Sequence, residues 1–445
     1  MLKRLKAKLN GDIHLKEILT GSAVTFVLKM SGMLLGYVVL LIISRQYGAE
    51  GIGVYNLTLI VMTFVAMMST MGMNVSILRY VGQFNKSCEE YKLKLLYRYA
   101  VELVVPFSLL LAVGLYFFAG VIADNVFHNP VYKPALEYAA IIVPFMALQD
   151  ISIEFIRGLK QLKVSEFLRS VNRPVINITL LLIIGLFIVD ELLPLYTLGL
   201  GIIISALFAV FFIVKKLQKI VPESKIEFSK KELITTSFPM MIISVASFVM
   251  GNISLFMLEA FSTTKEVGIF SVALQIATLI SLVLVVVNTI SAPKFSELYW
   301  SKKSHELQKV ISHATRLIFF SSLFMSIFIV IFSKSILSMF GDEFIIGSTA
   351  LIYLMFGQLI NSATGSVGIL LNMTGHQKEL QVIILITVII TIVLNIVFVP
   401  IYGMNGAAVI TMLGTIILNV ASAIFAKRKL MLTTYYLPIF TKELK

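Results

Sequence analysis

Charged residues and cysteine are both scarce in this sequence. Charged types make up 14% of its 445 residues, whereas a soluble globular protein carries about a quarter. Cys88 is the single cysteine, which excludes a disulfide within the chain and leaves the compartment undefined by cysteine usage. The basic and polar first residues, MLKRLKAKLNGDIHLKE, run on too long to be expected as part of a cleaved signal peptide.

Motifs for catalysis and metal binding are also lacking. The sequence has no Gly-x4-Gly-Lys-Ser/Thr loop for nucleotide phosphates and no His-Glu-x2-His helix for zinc. It has no Cys/His cluster, and its five histidines lie in or next to predicted loops. We therefore expect a protein that is not an enzyme and that needs no cofactor and no metal.

Apolar residues, by contrast, dominate the chain and come in long blocks. Hydrophobic types make up 58% of the residues and the mean hydropathy is +0.93. Residues 379–400 read ELQVIILITVIITIVLNIVFVP, and a run of about twenty apolar residues crosses a bilayer as a helix. Strands of a membrane barrel would alternate instead. The sequence predicts an all-α polytopic membrane protein.

The apolar blocks predict twelve membrane-spanning helices. Turn residues mark several of the boundaries, among them Asn129-Pro130, Asp190-Glu191 and Gly341-Asp342. The predicted spans are 18–43, 53–78, 99–122, 134–156, 168–189, 194–214, 234–258, 267–290, 312–333, 346–371, 379–399 and 404–426.

Basic residues are distributed unevenly between the two sides that twelve spans would define. Of the 37 Lys and Arg residues, only Arg45, Lys133, Lys265 and Lys334 fall in the loops opposite the termini, and Lys29 falls within a span. The rest, including Arg169 and Arg173, are assigned to the side of the termini. The positive-inside rule then predicts cytoplasmic termini in the cell membrane. The basic charge is expected to contact anionic lipid headgroups, not nucleic acid.

The chain also contains an internal repeat. GIGVYN around Gly53 matches EVGIFS around Gly268, and the pairs Gly158/Gly375 and Asn177/Asn395 have nearly the same offset, a little over two hundred residues. We predict an N-terminal six-helix bundle (1–214), a cytoplasmic linker (215–233) and a C-terminal six-helix bundle (234–445). Because six is even, the repeat is parallel, as in transporters that bind substrate between two halves.

Several segments resemble the bacterial and archaeal polysaccharide-biosynthesis flippases. They are ISRQYGAEGIGVYNL, EVGIFSVALQI, RGLKQLKVSEFLRSVNRPVINITLLLI and LLNMTGHQKELQVIILITVIITIVLNIVFVPIYGMNGAAVITML. The resemblance covers most of the chain, and the superfamily also holds multidrug and toxin extruders and the peptidoglycan-precursor flippase. It implies a central cavity and transport of an undecaprenyl- or dolichyl-linked oligosaccharide. The two further spans usual in peptidoglycan-precursor flippases are not found.

Lys29 is the clearest candidate for the transport cavity. It lies about 16 Å from the start of its span at 1.5 Å per residue, near the middle of a core about 30 Å thick. Ionisable groups at such depth are costly and mark functional sites. The alternative is a lysine that extends toward the headgroups. Gly32 and Gly36 in the same span are interpreted as close-packing residues.

Charged and amide side chains supply the other candidates. Asp150, Glu154 and Arg157 share one helix face, and an intrahelical ion pair is the alternative to a cavity role. Glu102 is expected to pair with a basic group on a neighbouring helix or to line the cavity. Mid-span amides suit sugar hydroxyls, but they equally suit hydrogen bonds between helices; the cavity candidates among them are Asn74, Gln275 and Gln358.

The function that we expect is translocation of a polyprenyl-diphosphate oligosaccharide from the cytoplasmic to the outer leaflet by alternating access. The alternative on the same fold is a cation-coupled multidrug extruder. A membrane glycosyltransferase or polymerase and a non-transporting scaffold are further hypotheses. The expected partners are the lipid-linked oligosaccharide and membrane lipids. Two further questions stay open. One is whether H+ or Na+ is a coupling ion, and the other is whether a polysaccharide polymerase and glycosyltransferases are partners.

Overall fold

Residues 13–86, 91–187, 190–218 and 228–436 are described by the structure, a computed structural model. Regular secondary structure in these ranges is helical. The central part of the predicted linker, 219–227, and Cys88 lie outside the described residues. The helices are α1 (Ile13–Ser69), α2 (Met73–Lys86), α3 (Tyr91–Asn125), α4 (Tyr132–Gly158), α5 (Leu162–Glu166), α6 (Asn172–Ile184), α7 (Leu193–Leu217), α8 (Lys230–Phe261), α9 (Thr264–Thr278), α10 (Ser281–Trp300), α11 (Ser304–Ile331), α12 (Ser333–Ser338), α13 (Ser348–Thr364), α14 (Val367–Met373) and α15 (Gln377–Leu430).

Ten helical stretches of the described chain are long and apolar enough to cross a bilayer. Two of them, in α1 and α15, contain a glycine whose backbone is not helical: Gly48, with φ of 67°, and Gly403, with φ of 52°. Each glycine divides its helix in two, because positive φ is a conformation that glycine adopts without steric cost. The ten stretches then number twelve, the number of spans predicted for the chain, and the all-α polytopic fold is confirmed.

Three of the twelve spans are interrupted in ways that hydropathy did not predict. The second breaks at 70–72, the eighth at 279–280 and the tenth after Thr364. At the first break Gly72 has φ of 77°, and a Cβ there would come within 2.2 Å of the Ser237 carbonyl oxygen. At the third, a Cβ on Gly365 would come within 2.2 Å of Thr315 Oγ1. Positive φ, which is 67° at Gly365, and close approach to a neighbouring helix both require glycine at these two positions.

The chain forms two compact units, and the first contains the chain up to Ile42 together with Thr58–Val245. Its core is α4, in which 72% of the residues in the apolar stretch are buried. Ala135, Ala139 and Ala147 are fully or almost fully buried, so neighbouring helices can pack closely against α4. Phe117 and Phe187 are exposed over 76% and 83% of their surface, as expected of side chains that face lipid.

The second unit contains Ile43–Leu57 together with the chain from Ala246 onward. Hydrogen bonds from Arg45 and Ala49 fix the short segment to this unit. Arg45 donates to the carbonyl oxygens of Met339 (2.8 Å) and Ser338 (3.2 Å), and the Ala49 amide donates to Glu343 Oε1 at 2.7 Å. Ala49 is the first residue after the break at Gly48, so Glu343 satisfies an amide that has no partner within the helix. The linear domain division at 215–233 stays a prediction.

Candidate functional site

The charged face predicted on α4 lies in the first unit, and its members take different partners. Glu154 and Arg157 form an ion pair with 3.6 Å between Oε2 and Nη1. This is the intrahelical pair that the spacing allowed. Asp150 instead faces Arg173, with 3.7 Å between Oδ1 and Nη2. The face is therefore completed by residues from outside α4.

Arginines from the fifth span supply those outside partners. A π-helical segment, Phe167–Val171, joins α5 to α6, and the Asn172 amide donates to the Phe167 carbonyl oxygen across its wider turn. Arg169 in this segment donates to Glu154 Oε1, and Arg173 follows one turn later. Such π segments are frequent at functional sites, because the extra residue reorients the side chains that follow.

Gln149, a buried residue of α4, holds Arg173 in place. Its side chain is fully buried. Its Oε1 accepts from Arg173 Nε at 3.0 Å, and its Nε2 donates to Ser205 Oγ on α7. Arg173 thereby bridges a buried amide and the half-buried Asp150. A side chain held at both ends in this way keeps the position of its guanidinium group.

In the charge distribution of the sequence, Arg169 and Arg173 stand only as charges on one side of the membrane. The signal that could have identified them was present. Both fall within the predicted span 168–189, and their spacing of four residues puts them on one helix face. We name the group Asp150, Glu154, Arg157, Arg169 and Arg173 the arginine cluster.

Lys29 lies one helical turn from a tight contact with the same π segment. A Cβ on Gly32 would come within 2.3 Å of the Ser170 carbonyl oxygen, so α1 touches the segment backbone to backbone, as the small-residue pattern predicted. Gly36 makes no such contact, since a Cβ there would meet nothing within 4 Å. Lys29 is exposed, and it makes no hydrogen bond or ion pair with any residue that the structure describes.

Each arginine of the cluster pairs with a carboxylate, whereas Lys29 pairs with none among the described residues. Arg169 and Arg157 pair with the carboxylate of Glu154, which is 9% exposed. Arg173 pairs with Asp150. Glu166 is also buried and accepts a hydrogen bond from Ser170 Oγ at 2.6 Å. The three arginines thus pair with two carboxylates, those of Glu154 and Asp150. Lys29 adds a positive charge without a carboxylate partner among the described residues.

Glu102 lies in a separate ion-pair group of the first unit. Its two carboxylate oxygens are 2.6 Å from Arg98 Nε and 2.7 Å from Lys230 Nζ. Lys230, at the start of α8, is the basic group on a neighbouring helix that the sequence analysis expected. Glu102 is one-third exposed, and its cavity role stays a prediction.

The three candidate amides are half-buried and make mostly local contacts. Asn74 Oδ1 accepts from the neighbouring Val75 amide at 3.1 Å. Gln358 Oε1 accepts from Asn361 Nδ2 at 3.2 Å. Asn74 belongs to the first unit, whereas Gln275 and Gln358 belong to the second. Their roles in substrate binding stay predictions. Within the described ranges, no group of three or more His, Cys, Asp and Glu residues could hold a metal ion.

Two protein families match the chain. The family described as polysaccharide biosynthesis protein matches residues 18–299, and the family MatE matches residues 239–401. No curated protein matches the chain.

Solved structures of transporters share the fold. Lipid II flippase MurJ in an inward closed conformation has a TM-score of 0.74 at 16% identity, covering 92% of this chain and 87% of its own. An inward-facing multidrug resistance MATE family transporter has a TM-score of 0.73 at 15% identity, covering 92% and 98%. A MOP superfamily transporter from Pyrococcus furiosus, whose binding pocket of reverse polarity suggests a different function, has a TM-score of 0.66 at 17% identity, covering 94% and 96%.

These similarities agree with the resemblance that the sequence motifs indicated. Family and fold are those of transporters and flippases, not of catalysts. The chain therefore belongs to the polysaccharide biosynthesis protein family and has the fold of the MOP superfamily transporters.

Proposed function

We propose that this protein is a flippase that moves a polyprenyl-diphosphate oligosaccharide from the cytoplasmic to the outer leaflet of the cell membrane by alternating access. Membership of the polysaccharide biosynthesis family supports the substrate class. The uneven distribution of basic residues supports cytoplasmic termini. The proposed substrate enters from the side on which the arginine cluster is assigned.

The observation that carries the proposal is that Lys29 lies one helical turn from Gly32, where α1 touches the π segment that carries Arg169. A diphosphate must cross a medium of low dielectric constant, where an unpaired charge is costly. Lys29 makes no ion pair with the described residues, so its ammonium group is available to the substrate. Glu154 and Asp150 hold Arg169 and Arg173 in place. Guanidinium groups bind phosphate in bidentate fashion, so the same side chains can exchange a carboxylate for the substrate.

The membrane potential supplies a driving force for such a substrate. Outward movement of an anion is favoured by an inside-negative potential, by about 2.3 kcal/mol for each charge at 100 mV. An H+ or Na+ gradient is the other source of energy. A potential set in vesicles without either ion gradient distinguishes the two.

A cation-coupled multidrug extruder is the second candidate, because the MatE family matches residues 239–401. An extruder of organic cations needs carboxylates open to its substrate. In the first unit, however, Asp150 and Glu154 are engaged by arginines, and Lys29 adds positive charge. The arginine cluster therefore favours an anionic substrate.

The experiment uses the purified full chain in vesicles loaded with a fluorescent polyprenyl-diphosphate oligosaccharide, and a membrane-impermeant quencher reports the leaflet. We expect protein-dependent loss of protection from the quencher, accelerated by a potential of the correct sign. A lipophilic cationic dye in matched vesicles tests the second candidate. Movement of the dye without movement of the lipid would refute the flippase proposal. Deletion of the gene should also leave the lipid-linked glycan in the inner leaflet.

A further inference from the structure

A groove in the second unit lies apart from the residues considered so far. It has a volume of about 780 Å³ and lies between α13, the end of α15 and the segment that follows α15. Its walls are largely apolar and include Ile360, Val420 and Ile424. Two basic residues, Lys427 and Arg428, line the same groove.

The segment 431–436 forms one side of this groove and is held firmly. Met431 ends α15 in the left-handed conformation, with φ of 57°. Gln308 then pairs with both the amide and the carbonyl of Thr433, each at 2.8 Å. The Tyr436 amide donates to the Ala363 carbonyl oxygen at 2.9 Å. The wall formed by segment 431–436 is therefore held in place by hydrogen bonds to α11 and α13.

The charged end of the groove combines cations with aromatic rings. Lys427 Nζ donates to the Tyr435 hydroxyl at 2.9 Å. The Arg316 guanidinium lies 5.5 Å from the centre of the Tyr436 ring. None of the described lining residues is acidic. An apolar channel with a cationic, aromatic end matches a molecule that has hydrocarbon chains and a phosphate.

We propose that this groove binds one anionic membrane phospholipid, whose acyl chains lie against α13 and α15 and whose phosphate contacts Lys427 and Arg428. The site goes beyond the transport of a substrate, because it lies wholly within the second unit and uses neither Lys29 nor the arginine cluster. The orientation predicted from the sequence places Lys427 and Arg428 on the cytoplasmic side, where basic pockets between helices bind anionic headgroups.

The charge of the groove favours a phospholipid over the other candidate occupant, the protein's own residues 437–445. That segment reads LPIFTKELK and carries two lysines and one glutamate. Its side chains therefore carry more positive than negative charge and offer Lys427 and Arg428 less attraction than a phosphate group does. A phospholipid phosphate is attracted by the same two residues.

The test measures lipid retained by the full chain in detergent, with phosphatidylglycerol and phosphatidylcholine of identical acyl chains as probes. We expect phosphatidylglycerol to be retained preferentially, and the double substitution Lys427→Gln with Arg428→Gln to lower its affinity at least about tenfold, given the usual contribution of a basic residue near an anionic headgroup. Lys429→Gln is the matched control, because Lys429 is exposed on the same turn but does not line the groove. Ile424→Trp should reduce retention of the lipid by filling the groove.

Several results would overturn the proposal. Equal loss after Lys429→Gln would show that general surface charge, not the groove, holds the lipid. Glycerol 3-phosphate that binds as tightly as the lipid would show an anion site without a role for the chains. Lipid binding that requires deletion of 437–445 would assign the groove to the protein's own segment. Size-exclusion profiles that match the unsubstituted protein confirm that each variant is folded.

Discussion

Gly53 and Gly268 lie against each other in the second unit. A Cβ on Gly268 would come within 1.8 Å of the Ala49 carbonyl oxygen and 3.1 Å of the Gly53 amide nitrogen. A Cβ on Gly53 would come within 2.3 Å of the Thr264 carbonyl oxygen. Ala49 precedes Gly53 by four residues, just as Thr264 precedes Gly268. The contact is thus reciprocal between matching positions of the internal repeat, and both copies need glycine because two helices meet there backbone to backbone.

Gly268→Ala is therefore expected to destabilise the protein. The new methyl group has no space beside the Ala49 carbonyl, and separation of the helices should cost about 1–3 kcal/mol. A thermal unfolding curve in detergent measures the change. Gly251→Ala is the matched control, since a Cβ at Gly251 would meet nothing within 4 Å. Because Gly251 lies within a helix, Gly251→Ala should leave the stability of the protein unchanged or raise it slightly. Equal effects of the two substitutions would contradict the packing argument.

Glu343→Ala should weaken the attachment of segment 43–57 to the second unit. Glu343 accepts from the Ala49 amide and pairs with Lys265 at 2.9 Å. Loss of a helix-capping side chain costs about 0.5–2 kcal/mol. The exposed pair with Lys265 adds little, because solvent screens it.

Two other glutamates provide the comparison for this thermal unfolding measurement. Glu266 caps the Met404 amide at 2.8 Å after the break at Gly403, so Glu266→Ala should lower stability by a similar amount. Among the described residues the Glu297 side chain pairs only with Lys294, and this pair is exposed, so Glu297→Ala should change stability very little. A loss at Glu297 as large as that at Glu343 would argue against capping as the cause.

Arg169→Met should cost more stability alone than together with Glu154→Gln. The Glu154 carboxylate is buried, and removal of its main partner leaves a charge that Arg157 offsets only in part. Breaking a buried pair from one side commonly costs about 3–5 kcal/mol, whereas replacing both partners is often nearly neutral. The free energies of unfolding of the two single variants and the double variant, measured chemically or thermally, form a double-mutant cycle. Strict additivity would show that the two side chains do not depend on each other.

Lys29→Ala should abolish most transport of the lipid-linked oligosaccharide without loss of folded protein. Lys29→Arg should retain part of the activity, because the charge remains while the geometry of the head group changes. The readouts are leaflet transfer in vesicles and surface polysaccharide in a deletion strain that expresses each variant. Lys163→Ala serves as the control, since Lys163 is an exposed lysine of the same unit outside the arginine cluster. Normal transport by Lys29→Ala would remove the main support for a cationic path.

Cysteine labelling tests the predicted orientation. In a Cys88→Ser background the chain has no other cysteine, so a single introduced thiol reports its own side of the membrane. Asp342→Cys should react with an impermeant reagent added to intact cells, and Lys303→Cys should react only after the cells are opened. Both positions are exposed. Labelling of Lys303→Cys from outside would reverse the assigned orientation.

The sequence by itself determined the number of spans and the family. Apolar blocks of bilayer length are a local property, because each helix satisfies its own backbone hydrogen bonds in lipid. The repeat around Gly53 and Gly268 was likewise readable, since the same close contact imposes the same residue on both copies. The paired charges on α4 could be recognised from their spacing alone.

Tertiary structure decided which distant residues meet. Ala49 and Glu343 are 294 residues apart, and no local pattern relates an amide after a glycine break to a carboxylate on another helix. Arg169 counted only as a basic charge on one side of the membrane, and the π segment places it against Glu154. The breaks at Gly72 and Gly365 were also invisible to hydropathy, because they depend on how closely a neighbouring helix approaches. Helix packing brings such groups together. In the sequence these groups are isolated residues that form no periodic pattern, so the contacts could not be predicted from it.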